Sequence, residues 1–315
     1  MKLKPLSEQV IVITGASSGI GLTTARMAAK AGAAVVAGAR NEDALRQLVA
    51  EIEADGGRAA YAVCDVGDPQ QVAALAETAI AAFGRFDTWV NNAGISIFGE
   101  MWDVPLDAWR RMFDTTYWGV VHGSLTAVRH FRERGGPGAV VNVGSFFGNR
   151  APAVQSSYSS AKFAVHGFTS GLRQELEHAK LPVSVSLIHP GRIDTPYNEH
   201  AGNWMPMQPV HRGMVYAPEA VADAILWCAA HPKRDMFVGS QAKFLTVLGW
   251  WRRGWSIRRW SASPIPLNNR IPARRRPITR MRCSTPARAG ASGAATNPHC
   301  SATAACTSRR PNTPC

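Results

Sequence analysis

The chain has 315 residues, 46% of them hydrophobic, which is enough for one large domain or two small ones with a substantial buried core. Its formal net charge of +13 is unevenly distributed, because residues 251–315 contain 13 of the 35 Lys and Arg residues and none of the 22 Asp and Glu residues. The basic character therefore belongs to the C-terminal tail. Residues 1–250 are balanced in charge, which excludes reading the whole protein as a nucleic-acid binder from its high pI.

Cysteine and histidine usage indicates neither a disulfide framework nor a metal site. Cys64 and Cys228 are isolated in the body of the chain, no pair has C-x-x-C spacing, and His166, His189 and His200 share no metal-like spacing. Isolated cysteines in apolar surroundings are typical of a reduced, intracellular protein. We see no secretory signal before the first predicted strand, and no apolar run approaches the ~18 residues of a membrane span. We therefore predict a cytoplasmic protein without a metal.

The first predicted strand, residues 10–13, leads into the glycine-rich segment 14–21, and an Ala-rich helix follows to about residue 31. A glycine turn between a strand and a helix lets backbone amides approach a pyrophosphate at the helix N-terminus. The glycines at positions 15, 19 and 21 do not have the one-then-two spacing of the common dinucleotide fingerprint. The position of the turn, rather than its glycine spacing, therefore predicts a dinucleotide site.

The end of the second predicted strand, residues 32–38, indicates which dinucleotide is bound. An acidic residue here would accept hydrogen bonds from the adenosine ribose and select NAD, whereas an arginine would meet a 2′-phosphate. Ala39 and Arg40 follow the strand, and the first acid is Glu42, at the start of a helix predicted over residues 42–54. The sequence therefore favours NADP over NAD. The alternative is that Arg40 is a solvated residue beginning a loop.

The elements that follow alternate between strands and helices. We predict strands over residues 58–64, 87–90, 140–143, 183–188 and 236–238, and helices over 69–83, 157–178 and 218–230. A long helix over 106–131 is predicted to be broken or re-aimed near Gly119 and Gly123, and residues 204–209 are predicted to form a mobile lid or loop. This alternation predicts an α/β fold, a doubly wound parallel sheet (Rossmann-like) in a three-layer α/β/α sandwich, with residues 1–250 as a single dinucleotide-binding domain. Ligands of such sheets bind beyond the carboxyl ends of the strands.

Three polar side chains near the fifth strand form a candidate proton-transfer group. Ser145 follows the strand, and Tyr158 and Lys162 lie four residues apart on the next helix, so that they share one helical face. A hydroxyl, a phenol and a neighbouring ammonium suit acid–base chemistry. Taken alone, the Tyr-x-x-x-Lys pattern would equally fit a surface Tyr and Lys on an ordinary helix.

Taken together, the glycine turn 14–21, the Asn-Asn-Ala-Gly of 91–94, Ser145, Tyr158-x-x-x-Lys162 and Pro190-Gly191 resemble the single-domain short-chain dehydrogenase/reductase family over about residues 7–240. The resemblance implies a nicotinamide-dependent oxidoreductase acting on an alcohol/carbonyl pair, commonly as a homodimer or homotetramer. It implies that Tyr158 is the proton donor in reduction or the base in oxidation, and that Ser145 binds the substrate oxygen. Lys162 would lower the pKa of Tyr158, together with the positive oxidised nicotinamide, and would hold the nicotinamide ribose.

The resemblance also implies a set of cofactor-binding residues at the strand ends. Those at the phosphates would be Gly15, Ser17, Ser18, Gly19, Ile20 and Gly21, and those at the adenosine Asp65, Val66 and Asn91. Ala93 and Gly94 would lie along the cofactor, and Pro190, Gly191, Ile193 and Thr195 on its nicotinamide side. The sequence departs from the family pattern at one position: Thr116 stands where many members have an Asn that orders a water in the proton relay to the lysine. The Thr116 hydroxyl or its backbone carbonyl would take this role, so Thr116 is also a predicted catalytic residue. This departure leaves open a nucleotide-binding but catalytically weak sensor.

Apolar residues flanking the predicted site favour a hydrophobic ketone or alcohol as the small-molecule substrate. These residues are Ile95, Ile97, Phe98, Phe146, Phe147, Val154, Trp204 and Met205. The alternative is that half of them belong to the core or to an interface.

The Arg-rich tail, residues 251–315, has two alternative interpretations. Tryptophans among arginines over residues 250–260 could contact an anionic membrane surface or nucleic acid, in a protein acting through its tail. Beyond Ser261 the chain is rich in Pro, Ala, Ser, Thr and Arg without acids or periodicity, which predicts disorder. The other hypothesis is that the tail is an unevolved extension, such as the product of a frame change.

Overall fold

The computed structural model describes residues 1–209, 214–239 and 267–272. The strands are β1 Val10–Thr14, β2 Ala34–Ala39, β3 Arg58–Val63, β4 Thr88–Asn91, β5 Ile97–Phe98, β6 Gly138–Val143, β7 Val183–Pro190, β8 Gly202–Asn203, β9 Met207–Pro209, β10 Asp235–Val238 and β11 Leu267–Pro272. The α-helices are α1 Gly19–Lys30, α2 Glu42–Ala54, α3 Pro69–Phe83, α4 Leu106–Phe113, α5 Gly119–Arg134, α6 Ser156–His178, α7 Tyr197–His200 and α8 Pro218–Ala230. Short 3₁₀ turns occupy Leu6–Glu8 and Phe146–Gly148.

Seven of these strands form one parallel sheet in the order β10-β7-β6-β4-β1-β2-β3. The chain moves outward from β1 to β2 and β3 in one direction and, through β4, β6, β7 and β10, in the other. The crevice at the carboxyl ends of β1 and β4, where the direction changes, is the position at which open α/β sheets bind ligands.

Helices cover both faces of the sheet because its central strands are apolar on both sides. On β1, Ile11 and Ile13 pack into a core with buried residues of α1, α2 and α8. Val10 and Val12 point to the opposite face, into a core with buried residues of α3, α5 and α6. Since successive strand residues face opposite ways, one short β-branched strand supports both cores. The predicted three-layer α/β fold is confirmed.

Local capping explains why two helices begin where the sequence predicted. Asn41 precedes α2, and its side chain accepts a hydrogen bond from the N–H of Ala44. Asp68 precedes α3 and accepts from the N–H groups of Gln70 and Gln71, with a proline in the first helical position. Such caps satisfy N–H groups that the helix itself leaves without acceptors.

The predicted long helix differs from the structure in how it is interrupted. The helix runs to Arg134, and a π-helical turn over Asp114–Trp118 joins α4 to α5 just before Gly119. Gly123 is no break. It lies within α5, where an added Cβ would be 2.1 Å from Asn91 Oδ1, so this glycine allows the helix backbone to approach β4. The helix is therefore modified at one of the two predicted positions, in a form that often accompanies functional sites.

The segment predicted as a mobile lid is tied to the rest of the protein by backbone pairing. β8 pairs with β5, and the N–H of Trp204 donates to the carbonyl of Phe98 at 2.8 Å. β9 pairs antiparallel with β11. Six residues of the tail predicted to be disordered therefore form a strand. The remaining tail predictions lie outside the described residues.

Candidate active site

The turn after β1 has the close backbone approach expected of a phosphate-binding segment. Gly15 and Gly19 have positive φ values of 69° and 52°, and a Cβ on Gly21 would lie 2.2 Å from the carbonyl oxygen of Gly15. Ser18 precedes α1 in an extended conformation and makes no side-chain cap hydrogen bond. The first turn of the twelve-residue helix α1 therefore presents N–H groups beside a space that residues larger than glycine would fill. This arrangement fits the pyrophosphate of a dinucleotide.

Two residues that the sequence interpretation did not assign, Thr14 and Asn92, hold this turn against the segment after β4. The Asn92 amide donates to the carbonyl oxygens of Thr14 at 3.0 Å and Gly15 at 3.3 Å. The Thr14 hydroxyl in turn accepts from the N–H groups of Asn92 and Ala93. An Asn-Asn pair after a strand predicts a turn, but only the parallel pairing of β1 with β4 shows which segment the second amide fixes.

At the outer strands, Arg40 and Asp65 occupy the predicted positions after β2 and β3. Arg40 makes no ion pair with any residue that the structure describes, and no acid stands between it and the strand. Asp65 accepts from the N–H of Gly67 at 3.0 Å and forms an ion pair with Arg111 of α4. The Asp65–Val66 segment is thereby fixed at the edge where an adenine would lie, with Arg111 as a partner that sequence alone did not identify.

The side chain of Asn91 is used inside the protein and is directed away from the adenosine edge. Its amide nitrogen donates to Asn142 Oδ1 at 2.9 Å and to Ser124 Oγ at 3.0 Å, and its oxygen accepts from the Trp89 indole at 2.8 Å. Only the backbone of Asn91 remains to border a cofactor. The sequence could not predict this, because the direction of one residue at a strand end depends on what packs beneath it.

Residues after β7 lie beside the glycine turn. The N–H of Gly191 donates to the carbonyl of Val238 at 2.9 Å, and Ile193 forms a parallel bridge with Tyr216. The Thr195 side chain is 3.1 Å from the position that a Cβ on Gly19 would take. The structure therefore brings the predicted nicotinamide-side residues and the predicted phosphate residues to one crevice.

Ser145, Tyr158 and Lys162 converge as predicted. The Ser145 hydroxyl accepts from the N–H of Phe147 at 3.2 Å and hydrogen-bonds with the Tyr158 hydroxyl. Lys162 Nζ donates to the Val143 carbonyl at 2.7 Å and lies 5.8 Å from the centroid of the Tyr158 ring. Tyr158 and Lys162 are only 8% and 4% exposed. A phenol, a hydroxyl and an amine thus share a nearly dry environment at the end of β6.

Burial dominates the protonation of this group. It raises the pKa of Tyr158 to about 12, although hydrogen bonds from Ser145 and Tyr197 act in the opposite direction. It also lowers the pKa of Lys162 to about 8, since an ammonium loses hydration when buried. The sequence predicted a lowered pKa for Tyr158. In the structure desolvation outweighs the hydrogen bonds, and the predicted contribution of an oxidised nicotinamide belongs to the bound cofactor.

Thr116 lies at the site, within the π-helical turn, but its hydroxyl is already engaged. It donates to the carbonyl of Ile95 at 2.9 Å and accepts from the N–H of the same residue at 3.1 Å, fully buried. A Cβ on Gly94 would be 3.8 Å from Thr116 Oγ1 and 3.9 Å from Lys162 Nζ. The hydroxyl therefore ties the segment after β4 to the helix, and the role of Thr116 in a proton relay stays a prediction.

The apolar residues predicted to line the substrate site divide into two groups. Ile95 and Ile97 are buried in a small core against which Trp204 packs. Phe147 instead contacts the Tyr158 ring at 6.5 Å between centroids, and Phe98 contacts the ring of Tyr197 at 6.2 Å. Of the apolar residues predicted to flank the site, Ile95 and Ile97 therefore belong to the core, as the alternative interpretation allowed.

Neither a cluster of metal ligands nor a candidate membrane span occurs in the part of the chain that the structure describes. There, no three His, Cys, Asp or Glu side chains converge as a metal site would require. Over the same residues, no helix combines the length and apolar character needed to cross a bilayer.

Comparison with known proteins gives this arrangement a family. The sequence profile described as short chain dehydrogenase matches residues 9–206. The uncharacterized oxidoreductase YxnA of Bacillus subtilis is 60% identical over 250 residues, covering 79% of this chain and 70% of that protein. The 1-deoxy-11-beta-hydroxypentalenate dehydrogenase of Streptomyces avermitilis is 34% identical over 271 residues, covering 84% and 98%.

Solved structures give the same fold. A short-chain dehydrogenase/reductase from Burkholderia phymatum, crystallised in complex with NAD, superposes with a TM-score of 0.74 at 24% identity, covering 84% of this chain and all of that one. The family profile spans the glycine turn, the segment after β4, Ser145, Tyr158 and Lys162. This chain belongs to the short-chain dehydrogenase/reductase family of oxidoreductases.

Proposed function

We propose that this protein is an NADP-dependent oxidoreductase that interconverts an alcohol and a carbonyl group, with Tyr158 as its acid–base residue. The observation that carries the proposal is the buried convergence of Ser145, Tyr158 and Lys162 beside a glycine cradle shaped for a dinucleotide. When bound, the nicotinamide supplies or accepts the hydride.

Each of the three residues has a distinct task in carbonyl reduction. The Ser145 hydroxyl positions the carbonyl oxygen beside the Tyr158 hydroxyl. As the carbonyl carbon gains a hydride, its oxygen takes the Tyr158 proton, and the reverse transfer accompanies alcohol oxidation. With a pKa raised to about 12, the phenol holds its proton at neutral pH and is ready to donate. The Lys162 ammonium, 5.8 Å from the ring, stabilises the phenolate that remains.

The NADP preference is supported by Arg40, which directly follows β2 with no ion-pair partner among the described residues. A guanidinium is suited to a 2′-phosphate, whereas an NAD enzyme would have a carboxylate here. Arg40→Ala is expected to weaken NADPH binding about tenfold or more and to leave NADH binding unchanged. Arg58→Ala is the matched control, because Arg58 is an exposed arginine at the amino end of the neighbouring strand β3. An unchanged preference for NADPH in Arg40→Ala would refute this role.

The substrate proposed is hydrophobic, a ketone, aldehyde or the corresponding alcohol. Phe147 and Phe98 support this through their ring contacts beside the reacting phenol, and so does a dehydrogenase relative that acts on a hydroxypentalenate.

Homo-oligomers are also part of the proposal. Trp118 of the π-helical turn, Leu125 of α5 and Phe163 of α6 are 46%, 41% and 46% exposed, and such apolar side chains could be covered by a second copy of the chain. Light scattering would measure the number of chains in the assembly.

The decisive experiment measures NADPH consumption against a panel of hydrophobic ketones, aldehydes and quinones. Tyr158→Phe is expected to lower turnover by ~10²–10⁴ while NADPH binding, followed by fluorescence, stays unchanged. Tyr61→Phe, on the edge strand β3, is the control and should keep full activity. A fully active Tyr158→Phe would overturn the mechanism.

The second candidate, a nucleotide-binding protein with weak catalysis, is favoured by one observation: the hydroxyl of Thr116, at the position where the family resemblance implies a relay asparagine, is engaged by Ile95. NADPH binding without consumption of any carbonyl in the panel would support it.

A further inference from the structure

A second tyrosine, which the proposed mechanism does not use, lies against Tyr158. Tyr197 begins the short helix α7, after the segment that follows β7. Its ring centroid is 5.8 Å from that of Tyr158, with the planes inclined at 72°, and the two hydroxyl groups are hydrogen-bonded. The loop after β7 therefore delivers a phenol to the proton-transfer group itself.

The neighbours of Tyr197 determine the direction of this hydrogen bond. Gln155 Nε2 donates to the Tyr197 oxygen at 3.1 Å, and the Ser96 hydroxyl also hydrogen-bonds with Tyr197. Since a side-chain amide nitrogen can only donate, the Tyr197 oxygen accepts from Gln155. Against the burial that raises the pKa of Tyr197, the hydrogen bonds from Ser96 and Gln155 both lower it, as donors to its oxygen do, whereas the one with Tyr158 raises it. The Tyr197 hydroxyl therefore donates its proton to the Tyr158 oxygen.

Gln155 is itself fixed in place. Its Nε2 also donates to Ser96 Oγ at 3.1 Å, and Gln155 and Ser96 are 7% and 1% exposed. The preceding residue, Val154, has φ 56°, a left-handed conformation that a β-branched residue rarely adopts. The Val154 carbonyl accepts from the N–H of Gly99 at 2.9 Å. Such strain persists only where the surroundings impose it, and here it aims Gln155 at Tyr197.

We propose that Tyr197 is a positioning residue of the active site, whose hydroxyl, held by Gln155 and Ser96, donates to the Tyr158 oxygen and with Ser145 stabilises the Tyr158 phenolate. The inference rests on the proposed function, in which Tyr158 is the acid–base residue. Two donors on one phenol oxygen favour its charged form, as donors do for any anion. Tyr197 thereby acts through Tyr158.

Lys162 is a charged side chain that lies beside Tyr158. It belongs to the same helix, α6, and its Nζ lies 5.8 Å from the centre of the ring. From the segment after β6 come the uncharged Ser145 and Phe147, and from α7 comes Tyr197. Removing the Tyr197 hydroxyl leaves the lysine in place, so the effects of the two residues on the titration of Tyr158 can be measured separately.

The test follows tyrosinate formation by near-ultraviolet difference absorbance in the full-length protein with oxidised NADP bound. The chain has five tyrosines, so the titration of Tyr158 is obtained as the difference between the absorbance titrations of the wild type and Tyr158→Phe. Tyr197→Phe removes one hydroxyl and keeps the ring. Subtracting the titration of the Tyr158→Phe/Tyr197→Phe double variant from that of Tyr197→Phe gives the Tyr158 midpoint without the Tyr197 hydroxyl. This midpoint is expected to lie about one pH unit above that of the wild type. Tyr61→Phe is the matched control and should leave the midpoint unchanged.

The outcomes separate the two proposals. An unchanged Tyr158 midpoint in Tyr197→Phe, with Tyr158→Phe still inactive, overturns the role of Tyr197 and leaves the proposed function standing. A fully active Tyr158→Phe overturns the proposed function. Should Tyr197→Phe fail to fold, Gln155→Leu decides: a smaller rise in the midpoint supports the inference, and no rise overturns it.

Discussion

Replacing Lys162 by methionine is expected to change how the stability of the protein depends on pH. The side chain is 4% exposed, and burial lowers its pKa from 10.5 to about 8. Below pH 8 the lysine is charged in both the folded and the unfolded chain, so the cost of burying the charge is fully present. Between the two pKa values the folded protein loses the proton while the unfolded chain keeps it, and stability rises with pH.

The size of the effect follows from the pKa difference. Each pKa unit corresponds to about 1.4 kcal/mol, so the burial cost is on the order of 3 kcal/mol at low pH, and most of it is lost between about pH 7 and pH 10. Methionine has a similar length and no charge, so Lys162→Met lacks this pH dependence. The wild type should therefore gain roughly 2–3 kcal/mol of unfolding free energy over the variant across that range.

Urea unfolding of both proteins at the two pH values, at matched protein concentration, measures this difference. Tyrosines and cysteines away from Lys162 titrate alike in both proteins and cancel, and Tyr158, whose pKa is raised to about 12, keeps its proton up to pH 10. Lys30→Met, at the exposed end of α1, is the control and should differ from the wild type equally at both pH values. If the difference between the wild type and Lys162→Met is the same at both pH values, Lys162 is not desolvated and the reasoning fails.

Three further substitutions test the site and its support. Gly21→Ala would place a Cβ 2.2 Å from a backbone oxygen of the same turn, so thermal unfolding should show a loss of stability and NADPH titration a loss of affinity. The control Gly167→Ala, in open space on α6, should raise stability by about 0.5–1 kcal/mol. Thr116→Val removes two buried hydrogen bonds and should cost about 1–3 kcal/mol in urea unfolding, with Thr116→Ser close to the wild type. Burial opposes the ionisation of Asp87, but hydrogen bonds from Lys4, the Val10 N–H and Arg134 lower its pKa overall. The wild type should therefore lose stability below about pH 4 in acid titration, and Asp87→Asn should lose less.

Some features could be predicted from sequence because they depend on near neighbours in the chain. The starts of α2 and α3 follow from Asn41 and Asp68, each capping the helix that it precedes. The pairing of Tyr158 with Lys162 follows from helical spacing. The alternation of strands and helices also fixes the edge of the sheet at which the strand ends meet, because parallel strands share one direction.

Other features depend on contacts between distant segments. The Asn91 amide turns inward because Asn142 and Ser124 are there to accept its hydrogen bonds, and the helix is modified before Gly119 rather than at Gly123. The buried environment that sets the pKa of Tyr158 is also a product of packing and cannot be read from residue types.

The sequence by itself determined the family, the layered α/β architecture and the three residues Ser145, Tyr158 and Lys162, because each rests on local pattern or spacing. Only the tertiary structure decided what surrounds that group. Tyr197 and Gln155 are 42 residues apart in the chain and meet at 3.1 Å, and no periodicity relates them. A hydrogen-bond network is set by which loops pack together, and that is decided when the sheet and its helices assemble.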